Sequence, residues 1–173
     1  MLRTQQLRAQ QHDEPKCNSL RSLRKEPDMP SISRYIMMIS RCSNQFRSER
    51  LRDTGLCGQH CAYILRVCRE PGTTQDAIAR EICVNKSNVT RQLAALEQNG
   101  FVERRPCEAD SRAMEVYPTE KALAVLPEVR AVLREWNECI TADFTEEEKT
   151  QFLDLLARAA DRAERRLNEV KKD

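Results

Sequence analysis

Residues 73–122 read TTQDAIAREICVNKSNVTRQLAALEQNGFVERRPCEADSRAMEVYPTEKA, and the order of elements in that stretch decides the fold. Thr73-Thr74-Gln75-Asp76 forms a capping box, with an acid in the first turn where the helix macrodipole favours it. The short helix that follows turns Ile78 and Ile82 inward. Asn85 suits the N-cap of a second helix, in which Val89, Leu93 and Leu96 recur at i, i+4 and i+7. Asn99-Gly100 then ends it with left-handed C-cap chemistry. Two strand-like runs follow, Phe101 to Arg105 and Ala113 to Tyr117. A polar loop, Pro106 to Arg112, joins them, so the spacing predicts a two-stranded hairpin.

Outward from this centre the pattern is helical on both sides. Ile32, Tyr35, Ile36, Ile39, Cys42 and Phe46 place one apolar stripe on Ser31 to Arg52, and Asp53-Thr54-Gly55 breaks it. Cys61, Ile64, Leu65 and Cys68 define the next helix, stopped by Pro71-Gly72. After Thr119 a long helix carries Ala122, Leu126, Val129, Leu133, Trp136 and Ile140, with Pro127 expected to kink or break it. Thr145-Glu146-Glu147-Glu148 is a capping box for a last helix bearing Phe152, Leu155, Leu156, Ala159, Ala163, Leu167 and Val170. The fold class is therefore mainly α with a small β-hairpin wing: a winged helix-turn-helix flanked by dimerisation helices. Four segments are expected. They are a flexible polar tail over 1–30 (with a short helix near Asn18 to Lys25), a first dimerisation helix over 31–54, the winged lobe over 55–118, and C-terminal dimerisation helices over 119–173. An intramolecular bundle of the three flanking helices is the alternative use of those apolar stripes.

The helix lined inside by Val89, Leu93 and Leu96 leaves Lys86, Ser87, Asn88, Thr90 and Arg91 on its outer and N-terminal parts. No acid falls between Glu81 and Glu97 to repel a phosphate backbone. Arg bridges guanine, Asn suits adenine, and Ser or Thr suits a base or a phosphate. Arg104 on the first strand is a further cation, and Arg112 in the hairpin loop is placed to enter a minor groove. A solvated polar face is the plainer reading of the same residues; the hairpin beside them favours double-stranded DNA.

The same stretch resembles the DNA-binding core of the MarR (multiple antibiotic resistance regulator) family. The match lies in the helix before Val84, in SNVTRQLAALEQNGFVERR, and in EADSRAMEVYPTEKA; the flanking helices extend it over residues 31–170. The resemblance implies a dimeric transcription regulator, a repressor released by a small effector, reading a near-palindromic operator. It implies that Ser87, Asn88, Thr90 and Arg91 line the recognition helix, and that Asp110 orients Arg112 toward the minor groove. The chain departs from the family pattern at Pro118-Thr119 and Ala122, away from these positions. The resemblance also implies an effector pocket where the dimer helices meet the winged lobe. Tyr35, Arg41, Phe46 and His60 are candidates to line it for a small aromatic or anionic ligand, against plain core packing or surface charge.

Composition bounds the rest. The net charge of +2, from 29 basic and 27 acidic residues, neither demands nor excludes nucleic acid. No apolar run approaches the roughly 20 residues that span a bilayer, and the N-terminal stretch has charge but no apolar core, so a cytoplasmic protein is expected. The eight cysteines (Cys17, Cys42, Cys57, Cys61, Cys68, Cys83, Cys107 and Cys139) are then expected as thiols. Cys42 and Cys107 are the candidates for oxidant sensing. Cys57, His60 and Cys61 form the tightest group of metal-ligand types, but no second Cys/His pair lies nearby, and Cys61 and Cys68 also suit an apolar stripe. No resident cofactor is expected. An enzyme is set aside, because the chain has no Gly-rich phosphate loop, nucleophile elbow or metal-hydrolase motif. A protein-binding winged-helix adaptor is the remaining non-regulator reading; Arg91 and Arg112 argue against it.

Overall fold

The computed structural model describes residues 31–107 and 113–170; the expected tail helix, Cys17, Asp110 and Arg112 lie outside these ranges. The chain divides into a unit through Ile36 and a second from Met37 onward. The elements are α1 (Ile32–Arg50), α2 (His60–Arg69), β1 (Thr73–Thr74), α3 (Gln75–Glu81), α4 (Lys86–Gln98), β2 (Val102–Pro106), β3 (Met114–Pro118), α5 (Glu120–Ile140) and α6 (Glu146–Val170), with a 3-10 turn at Arg52–Thr54.

The core of the second unit is built on the periods expected. Val89, Leu93 and Leu96 of α4 are fully buried, as are Ile78 of α3 and Cys61, Ile64 and Val67 of α2. Phe101 and Val116 close the sheet side, and Ala122 and Val129 bring in α5. Burying each Leu or Ile stabilises the fold by about 1.5–3 kcal/mol. Buried Arg66 is paired with Glu70 and with Glu81 of α3, tying α2 to α3.

Several boundaries differ from expectation, each for a local reason. The sheet has three strands rather than two, in the order β1-β3-β2. Thr73 pairs with Val116 and Thr74 with Glu115. Thr73 therefore belongs to a strand, and the cap of α3 falls one residue later, where Thr74 Oγ1 accepts from the Ala77 N–H at 3.2 Å. The hairpin strands each start one residue later than expected and pair Val102 with Pro118 through Pro106 with Met114.

The helix α5 runs through Pro127 without interruption. The carbonyl deprived of its donor belongs to Leu123, a residue half exposed to water, which can take the donor's place. The turn between α3 and α4 passes through Cys83 at φ 53°, a left-handed conformation uncommon outside glycine.

Of the three flanking helices, only α5 contributes buried residues. No residue of α1 or α6 is buried, and Leu153, Leu155, Leu156, Leu167 and Val170 are exposed along α6. Thr145 and Glu148 cap α6 reciprocally, at 2.8 and 3.2 Å. A folded, capped helix whose apolar stripe faces water does not form the intramolecular bundle considered above.

Candidate nucleic-acid interface

The helix α4 is fastened at its start by Asn85, whose Oδ1 accepts from the Asn88 N–H at 2.7 Å. With Val89, Leu93 and Leu96 turned inward, Lys86, Ser87, Thr90 and Arg91 are exposed and Asn88 is half-buried. Lys86 Nζ lies 2.7 Å from Asp76 Oδ2 of α3; such an exposed pair is worth little and exchanges readily for a phosphate. Thr90 Oγ1 donates back to the Lys86 carbonyl at 3.0 Å. Among the described residues, no ion pair or side-chain hydrogen bond holds Arg91. The Tyr63 hydroxyl of α2 donates to Asn88 Oδ1 at 3.4 Å.

Arg104 does not join this face. Its guanidinium is paired with Glu97 near the end of α4, with Nε 2.9 Å from Oε2, and its backbone N–H reaches Oε1 at 3.2 Å. Three hydrogen bonds from one residue to one carboxylate make Arg104 a fastener between β2 and α4. Seven residues of separation hid this in the sequence, since a strand and a helix had first to be folded together. Asp110 and Arg112 lie outside the described residues.

The effector candidates separate. Phe46 packs on Trp136 with ring centroids 5.4 Å apart. His60 is buried, its Nδ1 accepting from the Cys57 N–H at 3.2 Å, and burial lowers its pKa, with a hydrogen bond to Gln92 acting the other way. Tyr35, in the first unit, is exposed. Arg41 does line a cavity of about 550 Å3, with Asn44, Arg47, Gln59, Tyr63 and Asn88. Among the described residues, Asn44 Oδ1 is buried without a hydrogen-bond partner. A Cβ on Gly58 would lie 2.2 Å from the Asn44 carbonyl oxygen, so glycine is needed for that approach. The sequence reading missed Asn44 and Arg47; both lie on α1 at three-residue steps from Arg41, a spacing that puts them on one helix face.

Cys42 is exposed and Cys107 half-buried. Burial pushes the Cys61 and Cys68 thiols up, away from the reactive thiolate. Among the described residues, no group of three or more His, Cys, Asp or Glu side chains could hold a metal ion, so the cluster of Cys57, His60 and Cys61 gains no further ligand. Among the described residues no helix is long and apolar enough to cross a membrane.

Residues 63–114 match the sequence model of the MarR family. The chain is 31% identical over 144 residues to the HTH-type transcriptional regulator YybA of Bacillus subtilis, covering 83% of this chain and 96% of that protein. Its backbone superposes on the crystal structure of MarR with a TM-score of 0.74 at 30% identity, over 83% of this chain and 97% of that one. A MarR family regulator from Listeria monocytogenes, solved in complex with a 26mer DNA, is similar in fold, with a TM-score of 0.76 at 22% identity over 83% and 96% of the two chains.

Proposed function

The chain belongs to the MarR family of transcription regulators, and on that premise we propose that it is a homodimeric repressor that reads a near-palindromic operator and is released by a small anionic or aromatic effector. The observation that carries the DNA reading is α4, a capped helix with a wholly buried inner row and an acid-free outer face on which exposed Arg91 has no ion-pair partner among the described residues. Arg91, Asn88, Ser87 and Thr90 read base edges; Lys86 exchanges Asp76 for a phosphate. The wing adds Arg112, oriented by Asp110, at the minor groove. A protein-docking adaptor has no use for such a cationic reading face.

Residues 31–54 and 119–173 supply the dimer contacts, supported by the uncovered apolar residues of α6. Two-fold symmetry then places half-sites about one helical turn, roughly 34–36 Å, apart. The effector lies in the cavity lined by Arg41 and Arg47, whose charges suit an anion. The oxidant reading through exposed Cys42 or half-buried Cys107 remains the second choice.

The test is a fluorescence-anisotropy titration of the full chain on duplex DNA from its own upstream region and on a scrambled duplex, repeated with an aromatic carboxylate and with peroxide. Preference for the upstream duplex, relieved by the carboxylate, supports the reading. Equal binding to both duplexes overturns it.

A further inference from the structure

A second cavity, of about 540 Å3, lies where the start of α3, the start of α4 and the hairpin come together. On the hairpin side, the Cys107 N–H donates to the Ala113 carbonyl at 3.0 Å, which carries the β2–β3 ladder one rung further and makes a wall of it. Asp76 and Arg80 line the cavity from α3, one helical turn apart, and Lys86 lines it from α4. Charge is unevenly placed there. Asp76 is engaged with Lys86, with 2.7 Å between Oδ2 and Nζ. Glu81, the acid next to Arg80 in sequence, is taken by Arg66 and Arg69 of α2. Arg80 itself is exposed, and among the described residues no ion pair or side-chain hydrogen bond holds its guanidinium. The cavity therefore carries two cations against one acid, and the cation left over is Arg80.

We propose that this cavity seats one backbone phosphate of the DNA in each subunit, held by the Arg80 guanidinium and by Lys86 once it has left Asp76. The inference rests on the reading of α4 as the DNA-reading helix and extends the contact to α3 and the hairpin. Lys86 belongs to both surfaces, so the cavity is continuous with the reading face. A guanidinium matches two phosphate oxygens at once, and the lysine adds a point charge. Strength decides between DNA and a free anion as the occupant. Exposed pairs are worth little, and a lone anion has to compete with Asp76 for Lys86. A phosphate of a duplex already held by α4 arrives at high effective concentration and gives up condensed counterions as it binds. Such a contact carries no base information; it sets where α3 and the hairpin stand on the backbone. Asp76 is the opposing charge, weakening every duplex alike.

The experiment titrates the full chain on a duplex that it has selected from a random-sequence pool and on a scrambled duplex of equal length, over about 50–200 mM salt. Wild type is compared with Arg80→Gln, Arg80→Lys and Asp76→Asn, with thermal unfolding measured alongside. Arg80→Gln should weaken both duplexes by the same several-fold factor and lower the salt slope by about one per subunit, leaving base preference and melting temperature unchanged. Arg80→Lys should keep most of the slope, and Asp76→Asn should strengthen both duplexes. Unchanged affinity and slope in Arg80→Gln, with wild type still selecting a sequence, overturns the phosphate seat and leaves the reading of α4 intact. A loss confined to the selected duplex makes Arg80 a base contact and overturns the seat too. So does a lowered melting temperature with the slope kept, which makes Arg80 merely structural. Inorganic phosphate is the probe for a free anion. If it raises the melting temperature of wild type and not of Arg80→Gln, while the two bind DNA alike, the cavity is a small-anion site and the proposal falls. A wild-type chain that selects no sequence overturns the reading of α4, and the seat with it.

Discussion

Glu97, near the end of α4, holds both the backbone N–H and the guanidinium of Arg104 on β2. The hydrogen bond from Arg104 is the largest influence holding the Glu97 carboxyl below its usual range. A carboxylate whose pKa is lowered on folding contributes stability that is present above its unfolded value, about 4.3, and lost as the pH falls through the folded value. Thermal unfolding of wild type and Glu97→Gln should therefore differ most at pH 6–7, with wild type the more stable. The gap should close on acidification below about pH 4. A gap that widens in acid would show that the pair does not act in this way.

Arg91 and Arg104 are both exposed to some degree, yet only Arg91 lacks a partner among the described residues. Arg91→Ala should cost about 1–3 kcal/mol on a selected operator and much less on scrambled DNA. Arg112→Ala should lower affinity and flatten the salt slope by about one per arginine in each subunit. Arg104→Ala should instead lower the melting temperature and leave the salt slope in place. Anisotropy titrations between about 50 and 200 mM salt, over which the Debye length falls about twofold, distinguish the three.

The exposed leucines of α6 set the third expectation. Light scattering should give about twice the chain mass of 20.0 kDa, and the double substitution Leu153→Glu, Leu156→Glu should shift it toward the single chain. Two charges placed in an apolar interface in each subunit cannot be accommodated without unpaired burial. A double variant that keeps the dimer mass would move the interface away from α6.

Cys83 is exposed, where substitutions usually change stability by less than about 0.5 kcal/mol. Its φ of 53° makes the position an exception. Cys83→Val should destabilise by about 1–3 kcal/mol, because a β-branched residue is poorly tolerated in the left-handed region. Cys83→Gly should not. Chemical denaturation of the two variants measures the difference, and equal midpoints would mean that the α3–α4 turn relaxes without cost.

Much of this fold was legible in the periods of Val89, Leu93 and Leu96, in Asn85 as a cap, and in the reciprocal Thr145 and Glu148. These are local features, and local chemistry is visible in a linear text. What escaped was non-local. The strand at Thr73-Thr74 exists only because β3 passes beside it, and Arg104 is removed from the cationic face only because Glu97 has been brought to it. The candidate cavity shows the same division: Arg41 was found from its residue type, whereas Asn44 and Arg47 gained their meaning from the helix face they share and from the space beside Gly58.

Thr74 is at once a strand partner of Glu115 and the cap of α3. The outer half of β3 and the first turn of the helix ahead of α4 therefore share one residue, so neither can be displaced without loading the other. Amide hydrogen exchange should reflect this as a single cooperative opening, with the Ala77 N–H and the β1–β3 ladder released together. Thr74 in that sense is a pin through two elements, and a shift of β3 reaches the start of α3 through one threonine.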